Sequence, residues 1–249
     1  MTGRRGDGPG SQQWVSAGYF LSPPERVEDV AGGWGVAPAP LGHGPTFPDA
    51  CFLEGSEGRP GERAEERRSV LARFSIPGER LEDVRRAIVG DFDREWDADG
   101  ACLRPAYARS LARRFLADAP AASVLGLAVT PETARRLAAR YRSGAAFAYV
   151  PRWVREPGPP EAGAVVLGFA PVPILREVPQ RGCSWTCEGL DWDHVEREAG
   201  VRPDERGLLA TLGDAERACR WLRTQEGLCG GDDWFAWRVA IHPGRAQPA

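Results

Sequence analysis

Residues 234–242, Trp-Phe-Ala-Trp-Arg-Val-Ala-Ile-His, restrict the fold more than any other stretch of this chain. Phe235, Trp237, Val239 and Ile241 alternate with Trp234, Ala236, Arg238 and Ala240, the period-two pattern of a strand. One face is wholly apolar and the other nearly so. A strand of this kind belongs in the middle of its sheet, with helices covering at least one side.

Other segments carry helical or strand signals in an order that fits α+β better than a doubly wound fold. Strands are expected over 14–21 and 164–169, and helices over 79–89, 105–117, 191–199 and 214–223. In the first helix Leu81, Val84 and Ile88 share one face. Thr130-Pro131-Glu132 supplies a cap, a first-turn proline and an early acid for a helix that runs on to Leu137 and Tyr141. Strands and helices interleave without a strict βα rhythm and without a Gly-rich phosphate loop. A mixed or antiparallel sheet with helices packed on it follows.

An internal repeat is also expected. Ser69-Val70-Leu71 recurs as Ser123-Val124-Leu125, and a proline stands eight residues after each serine, at Pro77 and Pro131. Val70, Ala72, Phe74 and Ile76 alternate with Leu71, Arg73 and Ser75 as in a strand, so the two copies read as β-turn-α units. Residues 1–12 and 244–249 read as tails, because they offer little to bury. Residues 54–68 read as a loop, and 155–163, with Pro157, Pro159 and Pro160, reads as a linker. It divides an N-terminal α+β part, 13–154, from a C-terminal α+β part, 164–243, packed on the first.

Composition bounds the function. The 249 residues carry 32 basic and 35 acidic side chains, a net charge near −3, so no global positive field argues for nucleic acid. Every basic residue is arginine and none is lysine, which reflects the coding bias of a GC-rich genome. No segment approaches the roughly 18 apolar residues that span a bilayer, and no apolar run follows the N-terminal arginines, so a cytoplasmic protein with reduced thiols is expected.

Candidate chemistry concentrates between Arg181 and His242, which hold four of the six cysteines and five of the nine tryptophans. Cys183 and Cys187 are one residue too widely spaced for a redox pair, and Cys219 and Cys229 are ten apart, so no structural zinc and no cofactor is expected. Cys187 or Cys183 could act as a nucleophile with His194 as base and Asp191 or Asp193 orienting it, the basis of an alternative reading as a small hydrolase or transferase. Cys219, with Ala215 and Leu222 on one helix face, reads as a core residue.

The run 91–99 alternates carboxylates like a calcium loop but lacks the glycine and the closing glutamate of one. Asp91, Asp93, Trp96, Asp97 and Asp99, with Asp232 and Asp233, read instead as an acidic, aromatic surface for a basic protein partner, joined by Trp185 and Trp192 as aromatic anchors. A structural protein without a site is a third reading. Nine tryptophans cannot all fill one core without partners for their indole N–H groups, so two or three are expected at a rim or groove.

The chain also resembles a widespread group of small uncharacterised bacterial proteins. The residues that carry the resemblance are Gly18-Tyr19-Phe20, Leu125-Gly126-Leu127, Leu167-Gly168-Phe169, Trp185-Thr186-Cys187-Glu188-Gly189-Leu190, Arg206-Gly207-Leu208 and Trp234-Phe235-Ala236-Trp237. They span nearly the full length. Similar proteins often have a histidine near the Trp-x-Cys segment, where this chain has Gly182-Cys183-Ser184, which argues against a catalytic role there. In size and acidic balance the group is similar to immunity or partner proteins of toxin systems. The resemblance implies a protein-binding protein, most concretely an immunity protein that neutralises a basic toxin domain.

Overall fold

The computed structural model describes residues 13–22, 68, 71–72, 74, 76–96, 101–116, 123–143, 151–175, 178–179, 185, 189–228 and 234–242. Its strands are β1 (Val15–Ser22), β2 (Ser123–Val129), β3 (Val165–Leu175), β4 (Val178–Pro179) and β5 (Trp234–His242). Its α-helices are α1 (Leu81–Glu95), α2 (Pro105–Phe115), α3 (Pro131–Ser143), α4 (Arg152–Arg155), α5 (Trp192–Ala199) and α6 (Leu212–Leu222). The protein is α+β, and every strand pairing is antiparallel, in the order β1-β2-β5-β3-β4.

β5 lies at the centre, as its two apolar faces require. Phe235, Trp237 and Val239 are buried on one side of the sheet with Leu125, Leu127 and Val129 of β2, under Leu137 and Ala138 of α3 and Trp153 and Val154 of α4. Helices cover the other side in two separate blocks. α1 and α2 pack Val84, Ile88, Leu111 and Phe115 against Tyr19, Leu21 and Val124. α5 and α6 pack Val195, Ala215, Cys219 and Leu222 against Trp234 and Ala236. Two rows of residues cross the sheet between Val124 and Leu21 at one end and Trp234 and Ala236 at the other. Ser16, Ala128, Arg238 and Phe169 stand opposite one another across four strands, as do Tyr19, Gly126, Ala240 and Val166.

The helices start where the side chains allow. Thr130 Oγ1 accepts the N–H of Thr133 at 3.1 Å, Asp191 Oδ1 that of Asp193 at 3.0 Å, and Thr211 Oγ1 that of Asp214 at 3.1 Å. Each satisfies a backbone donor that the first turn leaves open. A side chain at Gly168 would place its Cβ 2.9 Å from Leu209 O, so glycine there lets the 209 segment bridge to Phe169.

None of the described residues of the segment 70–76, where a strand is expected, is in a strand. Leu71 and Ala72 are helical, and the burial of Leu71 and Phe74 beside exposed Ala72 follows an i, i+3 spacing rather than alternation. Only the second copy of the expected repeat, Ser123–Val129 followed by α3, has a strand before its helix. The segment 155–163 runs beside β1, with Ser16 N donating to Gly158 O at 2.8 Å and Glu161 N to Tyr19 Oη at 2.9 Å. Strands from both sides of it join in one sheet, β1 and β2 on one side of the β2–β5 pairing and β5, β3 and β4 on the other. Among the described residues no helix is long and apolar enough to cross a membrane.

Candidate functional site

The acidic run divides on folding. Asp91 to Glu95 continue α1 as helix, and the carboxylates of Asp91 and Glu95 are engaged internally rather than held out as a partner surface. Asp91 accepts from Arg94 at 2.5 Å and from Tyr107 Oη at 3.2 Å. Glu95 is buried and paired with Arg104 and, at 3.3 Å, with Arg94. Burial, opposed by the Trp96 hydrogen bond and reinforced by the charge of Asp91, raises the Tyr107 phenol above its ordinary value. Trp96 is only 2% exposed and donates its indole N–H to Tyr107 Oη at 3.2 Å, so it is a core residue, not a surface anchor. The side chain of Asp93, and Asp97, Asp99, Asp232 and Asp233 altogether, lie outside the described residues.

Trp185 is likewise fully buried rather than at a rim, donating its N–H to Gly207 O at 2.9 Å. Trp192, part-buried, packs on it with ring centroids 5.0 Å apart. Cys183 and Cys187 lie outside the described residues. His194 is exposed on the first turn of α5 and meets Trp221 edge-on at 6.0 Å. Asp191 is occupied in capping α5. Cys219 is buried as expected, and burial pushes its thiol up to about 12, which keeps it protonated and inert at neutral pH. Among the described residues no group of three or more His, Cys, Asp or Glu side chains is placed to hold a metal ion.

The polar groups that the fold does gather lie elsewhere, between the two helical blocks. Arg238 projects from the middle of β5 with Ala128 and Phe169 as its cross-strand neighbours. Its guanidinium carbon lies 4.7 Å from the centroid of the Trp14 ring, which rests in turn on Phe169 at 5.8 Å. Its Nε is shut off from water and makes no hydrogen bond. Burial lowers the pKa of this guanidinium, with a smaller opposing contribution from Tyr19. Four residues on, His242 is 3% exposed and meets Tyr19 edge-on at 5.0 Å. A Cβ at Gly126 would fall 2.6 Å from His242 Nε2 and 3.0 Å from Tyr19 Cε1, so only glycine leaves room for the imidazole. Burial lowers the His242 pKa; Glu161 opposes the shift, and Arg109 and Arg238 add to it. Glu161 and Arg109 face each other at 3.8 Å.

Next to this cluster the sheet, among the described residues, has an open edge. β4 pairs only with Ile174 and Leu175, Leu209 bridges Phe169, and Pro171 and Pro173 have no N–H to offer. At the start of β3, Val165 and Val166 are 56% and 48% exposed, two of the three large hydrophobic residues most open to solvent among the described residues. Arg238 and His242 are a short reach in sequence from each other, but Trp14, Tyr19, Gly126 and Glu161 are not, and no local motif joins them. The one sequence-level signal was a charged residue in an otherwise apolar central strand. No protein-family model, no curated protein and no solved structure matches the chain.

Proposed function

We propose that the chain works by binding another protein, and that an extended segment of the partner adds to the sheet at the free start of β3. The pair of half-exposed valines at Val165 and Val166 carries this reading. An unpaired strand edge offers backbone donors and acceptors to an incoming strand, and exposed β-branched side chains beside it supply apolar contact. The rest of that edge is closed by proline, by the Leu209 bridge and by β4, which confines docking to one end. Immunity to a toxin is the specific form of the role that the resemblance suggests.

The test is retention of partner proteins from the source cells by the purified chain. The Val165→Lys/Val166→Lys double variant is expected to lose at least tenfold of the retained partner while its circular dichroism is unchanged. Cys187→Ser and His194→Ala are expected to retain it. Equal retention by the valine variant sinks the edge reading. Complete loss of cellular activity in either folded Cys187 or His194 variant, with the valine variant active, replaces binding with catalysis.

A further inference from the structure

We infer that Arg238 anchors a site for a small organic monocarboxylate, held against Trp14 in the gap between the two helical blocks. Arg238 is part-buried, and its Nε is sealed from water without an acceptor, a placement that costs free energy because a buried donor is left unsatisfied. Here the neighbours are apolar: Ala236 and Ala240 along the strand, Ala128 and Phe169 across it. Among the described residues no carboxylate lies within ion-pair distance of Arg238, and the acid nearest the cluster, Glu161, is turned to Arg109. The stacked Trp14 ring compensates the charge only in part.

The Trp14 ring, itself resting on Phe169, fixes one face of the guanidinium plane and leaves the Nη N–H groups, unlike the sealed Nε, as the donor set open to a ligand. A planar carboxylate accepts two such N–H groups in parallel, which a spherical anion cannot do and an amide can do only without the charge. One positive charge calls for one negative charge. His242 stays neutral at pH 7, because burial disfavours its charged form, so the cluster offers no second cation to balance a phosphate dianion.

The probe is benzoate, with benzamide as its neutral isostere and inorganic phosphate as the dianion. Titration calorimetry is expected to give saturable benzoate binding with Kd below about 1 mM. The ¹⁵N signal of Arg238 Nε–H, assigned by its absence in Arg238→Lys, should move with benzoate and stay in place with benzamide. Arg238→Gln and Arg238→Lys should each weaken binding at least tenfold, the second because lysine keeps the charge and loses the fork. A wild-type Nε–H signal that ignores benzoate overturns the inference whether or not the variants fold. So does equal binding by a folded variant, or phosphate binding as tight as benzoate. The inference is independent of the strand-docking reading: Val165→Lys should lose the protein partner and keep benzoate.

Discussion

His242 ends β5 with its imidazole over the backbone of Gly126, a contact that makes two residues 116 positions apart dependent on each other. Its pKa is lowered in the folded protein, so as pH falls the unfolded chain takes up this proton first. The stability associated with a neutral His242 is therefore fully present above about pH 6.5 and is lost as pH falls through that value toward the folded pKa. Thermal midpoints measured from pH 7.5 to 5.5 should decline for the wild type and decline less for His242→Gln. Parallel curves would show that the imidazole titrates as it does in the unfolded chain. Gly126→Ala tests the same contact sterically. The added methyl enters at 2.6 Å from Nε2, and overpacking of this kind costs about 1–3 kcal/mol in urea unfolding. In a His242→Ala background the cost should shrink, leaving the Tyr19 contact as the remainder.

Among the elements, β5 shows how far a local pattern reaches. A nine-residue run apolar on both faces has no stable place except between two strands and under two layers, so its central position was legible, while its neighbours β2 and β3 were not. Trp237, fully buried and edge-on to Trp153 at 5.7 Å, should cost about 3–5 kcal/mol when cut to alanine, measured by chemical denaturation. Helices α3, α5 and α6 were equally plain, because their capping residues and apolar stripes lie within one or two turns. Thr211→Ala should lower stability by about 1 kcal/mol, since it removes the acceptor for Asp214 N. The segment 70–76 was misread for a physical reason. Seven residues of which Val70, Leu71, Phe74 and Ile76 are apolar satisfy period two and the i, i+3 spacing together, and packing on α1 and α2 decides between them. The acidic run failed differently. Nothing local announces that Arg104, just before the following helix, and Tyr107, within it, will consume the carboxylates of Glu95 and Asp91.

On the scale of the whole molecule the strand order is the controlling fact, because β5, last in sequence, is inserted between β2 and β3. The Arg238 cluster inherits this topology: Trp14 precedes β1, Tyr19 belongs to it, Gly126 to β2, and Arg238 and His242 to β5. Such a site exists only when the sheet is complete, and so its residues carry no common signature along the chain. The same order bears on the proline-rich stretch 155–163, which looks like a boundary in sequence but is tied to β1 at Ser16 and Tyr19. If one sheet unites the segments on both sides, urea unfolding followed by far-ultraviolet circular dichroism and by tryptophan fluorescence should give coincident midpoints. A fragment ending at residue 154 should stay unfolded alone, since β2 loses β5 and the buried faces of Leu125 and Leu127 lose Val239 and Trp237. Mixing it with a fragment from 155 onward should restore strand structure and, with it, the Nε–H signal of Arg238 and its response to benzoate. A fragment 13–154 that unfolds cooperatively by itself would instead establish two independent cores, and the Arg238 cluster would then lie on an interface between them.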